Sequence, residues 1–268
     1  MQERAHGLLV GKPLHYPAGV ADRYQRELDR LIRDMTKEYE REISALWREL
    51  GPVTMDASLA SQSRITLNKL RARFAKLFRD KAPSITERML GGVDKASAVS
   101  LQESLKQLSG GVTLKTDVMP TALKESMIAA TAENVSLIKS VAAQYHERIE
   151  GAVMRSIQRG GEGRKTILEE LRKIDGMSKR RAKIIADDQT RKATTAANLF
   201  RAQEAGIRKF RWLHSGGGVD KRIKHVEASG KIFEYANPPR IGDQGEPVLP
   251  GEAVSCRCVA IPVLEWGE

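Results

Sequence analysis

Apolar residues recur at steps of three and four from Val20 to Leu50: Val20, Tyr24, Leu28, Leu31, Ile32, Met35, Tyr39, Ile43, Leu46, Trp47 and Leu50. This is one face of an α-helix sustained for about eight turns. Gly51-Pro52 ends it. So long an amphipathic helix needs its stripe covered, either by another part of the chain or by another copy. The spacing drifts from a strict heptad. A second helical stretch runs over 58–80, with Ile65, Leu70, Phe74, Leu77 and Phe78 on one side. Its other side is basic: Arg64, Lys69, Arg71, Arg73, Lys76 and Arg79. Pro83 is expected to break it. Ser84 and Glu87 then have the spacing of a capping box opening a third helix. Gly91-Gly92 is expected to interrupt that helix before it resumes through Val99, Leu101, Leu105 and Leu108, and Gly110-Gly111 to stop it.

Pro120 suits the first turn of a further long helix. This one carries Leu123, Met127, Ile138, Val141, Tyr145, Ile149, Val153 and Ile157 and closes at Gly160-Gly161. A short helix with Ile167, Leu168, Leu171 and Ile174 follows. After Asp175-Gly176, Ser178 can cap another helix that stops at Gly206. Only then does the period change. Phe210, Trp212 and His214 alternate with Arg211 and Leu213 as in a strand. A glycine turn follows at 216–218. A helical turn or two is expected within 220–228, a strand over 231–235, and a last strand over 257–263 that Pro262 confines to an edge or an end. Ahead of all this, residues 1–19 carry Gly7, Gly11, Pro13, Pro17 and Gly19 and read as an extended arm, either a disordered tail or a segment docking on a neighbour.

Composition sharpens the picture. Aromatic residues are few, at 5% of 268, which suits helices packed through Leu, Ile and Ala. The formal charge of +11 points to an anionic environment, with nucleic acid, an acidic partner or a membrane surface as the candidates, or to a solvated basic surface. No apolar run approaches the roughly 20 residues of a membrane span. The N-terminal stretch has no apolar core of signal-peptide length. The only cysteines, Cys256 and Cys258, are one residue apart, too close for an unstrained disulfide. A reducing compartment is therefore expected.

Two thiols at this spacing share one face of a strand. His225 or His214 could complete a zinc site, since zinc takes four N or S ligands. Otherwise the cysteines are small core residues and His225 holds its loop by hydrogen bonds. A second constellation, residues 174–185, resembles a helix-hairpin-helix, in which a turn between two helices presents backbone N–H groups and basic side chains to a DNA phosphate. Lys179, Arg180, Arg181 and Lys183 would supply the charge, although Ser178 stands where a second glycine is usual. The alternative is an ordinary helical hairpin with a solvated basic face. No spacing matches a nuclease, a hydrolase or a phosphate-binding loop, and Gly216-Gly217-Gly218 is not followed by Lys-Ser/Thr.

Trp212, a glycine turn, Arg222, His225, Gly230-Lys231-Ile232-Phe233, a Pro-rich connector and Cys256-Arg257-Cys258 follow one another in order. This series resembles the C-terminal signature of the phage head morphogenesis family, the minor head proteins similar to protein F of phage Mu. The helix with Arg181, Ala182, Ile185 and Ala186 resembles the same family, so the likeness covers about 165–263. Ser215-Gly216-Gly217-Gly218 departs from the family's aspartate-bearing turn, and Ala253-Val254-Ser255 replaces its His-Pro. The resemblance implies a minor head protein of a tailed phage, structural rather than enzymatic, made in the host bacterial cytoplasm and carried in the virion. The implied partners are the portal protein, the major capsid or scaffolding protein, packaged double-stranded DNA and other copies of itself, with no membrane. A DNA-binding protein working through 174–185 is the alternative. The expected architecture is mainly α: an arm (1–19), a bundle-like long-helix part (20–161) and a small α+β domain (162–268).

Overall fold

The computed structural model describes residues 7–49, 57–106, 119–159, 164–216 and 221–266. In chain order its elements are β1 (Gly7–Val10), α1 (Ala18–Glu49), α2 (Ala57–Lys106), α3 (Thr121–Gln158), α4 (Arg164–Glu204), β2 (Lys209–Leu213), α5 (Ile223–Ala228), β3 (Ile232–Glu234) and β4 (Val259–Trp266). The fold is mainly α, with long helices and a small antiparallel sheet. Two compact units form. A sheet unit gathers the residues up to Ala21, Arg88–Ala130 and the chain from Asp187 on; a helical unit gathers Asp22–Glu87 and Thr131–Ala186. These units do not follow the chain order of the expected domains, because each of the four long helices supplies residues to both.

Every residue of the α1 stripe from Val20 to Trp47 is buried, while Leu50 lies outside the described residues. In the helical unit the cover comes from this same chain. Tyr39 packs edge-on against Tyr145, with ring centroids 5.3 Å apart, and tilted against Phe74 at 5.9 Å. Three polar contacts in this core run from α1 to other helices. Tyr24 donates to Asn134 Oδ1 at 2.9 Å, Thr36 donates to Asp175 Oδ1 at 2.9 Å, and Tyr39 Oη lies 3.0 Å from His146 Nδ1. Each such bond closes a long sequence loop, so each fixes the axial register of one helix against another.

Three expected breaks do not occur. Pro83 lies inside α2, which runs without interruption for 50 residues. An interior proline costs about 3 kcal/mol, but Phe78, Ala82, Ile85, Met89 and Leu90 are buried on either side of it, and that burial outweighs the cost. Ser84 caps no new helix; its hydroxyl donates back to the Lys81 carbonyl at 3.1 Å. Gly92 serves close packing rather than a break, since a Cβ there would stand 3.0 Å from Val20 Cγ2. Gly176 likewise sits within α4. Ser178 Oγ donates to the Ile174 carbonyl at 3.0 Å, and helix continues on both sides. The stop at Gly206 is where the sequence places it. Gly206 has φ +76°, and the Gly206 and Ile207 amides donate to the Gln203 and Ala202 carbonyls, closing the helix with a Schellman motif.

The sheet runs β1-β4-β2-β3, antiparallel throughout. In β2, Phe210 and Trp212 point into the core and their neighbours are half-exposed, the alternation read from the sequence. The arm is neither a free tail nor a neighbour's ligand from Gly7 on. It forms β1 along β4, and its Leu14 amide donates to Ala260 O at 2.9 Å. The arm also lies against α2, where Ser104 Oγ donates to Lys12 O. Pro262 is therefore not on an edge: β4 lies between β1 and β2. Its carbonyl faces β1 and accepts from the Gly11 amide at 2.9 Å. Its nitrogen faces the same side, where β1 ends at Val10, so the missing N–H costs no bond to β2.

Candidate functional site

Within the sheet unit's core, which holds Phe210, Trp212, Ala228, Tyr235, Val248 and Leu249, three donor atoms converge. They belong to His225, Cys256 and Cys258, and all lie within 4.8 Å of one another. Cys256 Sγ is 3.5 Å from His225 Nδ1 and Cys258 Sγ is 3.8 Å from it. All three residues are buried, and both cysteines are free thiols.

Local structure explains the convergence. Alternation on the approach to β4 puts Cys256 and Cys258 on one side of the chain. The turn before them is tight: Ser255 takes φ 57°, its amide donates to Asp188 Oδ1 at 3.2 Å, and the Cys256 amide donates to Ala253 O. Gly251, at φ +88°, lets this loop close against α4, since a Cβ there would stand 2.8 Å from Thr195 Oγ1 and 3.3 Å from Cys258 O. His225 comes from α5, whose buried residues are His225 and Ala228. Trp212 stands edge-on to the imidazole at 5.1 Å between ring centroids.

Arg222, just ahead of α5, clamps the two halves. Its guanidinium makes a bidentate pair with Asp243 at 2.7 and 2.9 Å and donates to Val254 O at 3.0 Å. The pair holds the Asp243 carboxyl below its ordinary range. Arg222 appears in the sequence as part of a motif, but its partner lies 21 residues away and nothing in local spacing reveals it.

The thiols are electrostatically coupled. A hydrogen bond from Cys258 draws the Cys256 thiol down to about 5, with help from the Cys258 and Gly251 backbone and from His225, against the opposing effect of burial. Cys258, the donor in that bond, is pushed up by it and by burial. The pair thus gives up one proton readily and holds the second. A buried set of one imidazole and two sulfurs, one of them readily a thiolate, is a soft metal donor set.

The remaining expected residues fall elsewhere. His214 is not in the cluster; its Nδ1 accepts from the Gly216 amide at 3.0 Å, and its own amide donates to Ser229 Oγ. Residues 174–185 form continuous helix, so the turn that a helix-hairpin-helix requires is absent and the backbone N–H groups are spent on the helical ladder. Of the four basic residues, Lys179 pairs with Asp175 at 2.6 Å and Arg181 donates to Ser140 Oγ at 3.0 Å. Arg180 and Lys183 are exposed.

Residues 147–261 match the family model described as Phage Mu protein F like protein. The match spans the end of α3, all of α4, β2, α5 and β3, and the first residues of β4; it contains His225, Cys256 and Cys258. Over this stretch, which is less than half of the chain, the sequence is similar to the Phage Mu protein F like family. An uncharacterized protein of Haemophilus influenzae (strain ATCC 51907 / DSM 11121 / KW20 / Rd) is 32% identical over 251 residues, covering 91% of this chain and 53% of that protein. The chain thus spans about half the length of this relative. No solved structure matches the chain. Among the described residues no helix is long and apolar enough to cross a membrane.

Proposed function

We propose that the chain is a minor head protein of a tailed phage, acting in head assembly beside the portal and lying against packaged DNA in the virion. The observation that carries this reading is the family match over 147–261, which falls on the part of the chain that builds the sheet and the cysteine cluster. The role is structural, with the portal protein, the major capsid or scaffolding protein, other copies of the chain and double-stranded DNA as partners. Charge supports the DNA contact. The formal charge is +11, and Arg64, Lys69, Arg71 and Lys76 on α2 are exposed, as are Arg180 and Lys183 on α4. Such groups bind phosphate without reading sequence.

The test is a stop codon early in the gene within the phage or prophage that encodes it. Aberrant or missing heads with normal tails by electron microscopy, rescued by the gene supplied in trans, is the expected result. Intact, infectious heads would overturn the reading.

A further inference from the structure

We propose that His225 Nδ1, Cys256 Sγ and Cys258 Sγ bind one zinc ion, with a water molecule in the fourth position, and that the ion pins α5 to the loop entering β4. The argument begins with distances. With Zn–S of about 2.3 Å and Zn–N of about 2.0–2.1 Å, a tetrahedral site has an S···N edge of about 3.6 Å. The two S···N separations here are 3.5 and 3.8 Å. All three donor atoms lie within 4.8 Å of one another.

The chemistry of the set selects the ion. Two sulfurs and an imidazole suit zinc and disfavour magnesium or calcium, which take oxygen. With Nδ1 on the metal, the proton of His225 resides on Nε2, an atom that is buried and has no hydrogen-bond partner in the structure. The support around the ligands is rigid. Trp212 packs against the imidazole, and Arg222 ties the start of α5 to Asp243 and to Val254, two residues before Cys256. Holding ligands by such outer contacts is what tunes a metal site. An ion bridging α5 and the loop entering β4 would do for this small sheet what its few strands cannot do alone. The inference does not depend on where in a virion the protein resides.

The test is metal analysis of the full chain purified under reducing conditions without added chelator, followed by replacement of the ion with cobalt(II). One zinc per chain is expected, as is a cobalt spectrum with the charge-transfer intensity of two Co–S bonds and the visible bands of a tetrahedral ion. Cys256→Ser and Cys258→Ser should each weaken zinc binding by more than about 100-fold, beyond the loss typical of an outer-shell contact. Chelation should lower the thermal midpoint of the wild type. If a variant fails to fold, the wild-type cobalt spectrum still decides. Metal-free protein that takes up neither zinc nor cobalt on titration, or a cobalt spectrum lacking thiolate bands, would overturn the proposal and leave a thiol–imidazole hydrogen-bonded cluster.

Discussion

The two units solve the same problem, a core poor in aromatic residues, in different ways. The helical unit ties long helices together with single hydrogen bonds, two between neutral groups, Tyr24 to Asn134 and Tyr39 with His146, and one from Thr36 to the Asp175 carboxylate. The sheet unit concentrates Phe210, Trp212, Phe233 and Tyr235 within a few strands and adds charge. Arg201, almost fully buried on α4, pairs with Asp94 on α2, and the thiols of Cys256 and Cys258 lie in the same buried core as Phe210 and Trp212. The family match covers every strand residue from β2 through Ile261, and in the helical unit it takes in the end of α3 and that unit's whole share of α4 but none of α1 or α2. Register in a helical unit can be kept by a few scattered polar pairs. The small sheet unit depends on a dense arrangement of particular residues, which is why its pattern is the recognisable one.

The largest expected effect breaks the sheet unit. Asp94→Ala leaves the buried Arg201 guanidinium without its carboxylate, and removing one partner of a buried ion pair costs about 3–5 kcal/mol. A large fall in urea midpoint is expected, with Asp94→Glu closer to wild type. Next comes the helical unit's counterpart. Tyr39→Phe keeps the ring packing and strands His146 Nδ1, at about 1–3 kcal/mol. If Tyr39→Phe cost as much as Asp94→Ala, the contrast between neutral and charged ties would fail.

A pH scan sharpens the same contrast. Burial holds the His146 pKa below its ordinary 6.5, against the pull of Glu150 Oε2 at 3.3 Å and with a smaller contribution from Arg71 in the same direction as burial. A lowered folded value means the unfolded chain takes up the proton first as pH falls. This contribution to stability is complete above about 6.5 and is lost as pH drops from there towards the folded value. Urea midpoints should decline from pH 7 to pH 5, and His146→Gln should flatten part of that decline. The smallest effect belongs to Arg222→Ala. Its partner Asp243 is exposed, and a pair of this kind contributes about 0–1 kcal/mol. Stability should barely move, while a probe of the cysteine loop, such as the rate of thiol modification at Cys256, should rise.

How much of this was legible in the sequence depends on the range of the forces involved. The α1 stripe and the Phe210/Trp212 alternation were readable, because periodicity reports burial directly. Pro83, Gly91-Gly92 and Gly176 misled because each is a local helix breaker worth about 1–3 kcal/mol, while the burial that overrides it comes from distant residues such as Val20 packed on Gly92. Pro262 misled because a strand's place in a sheet depends on which partner ends where. In the cluster, the Cys-x-Cys pair and His225 could be singled out by residue type. The Arg222–Asp243 clamp, the Arg201–Asp94 pair and the placing of His214 outside the cluster could not, since no local spacing encodes contacts across 21 or 107 residues.

The central claim, that this is a minor head protein, is tested most directly by its copy number in purified particles. Quantitative mass spectrometry of empty procapsids and mature heads, normalised to the portal protein, should give a small, fixed ratio of this chain to the portal in procapsids. Its absence from both kinds of particle would contradict the account.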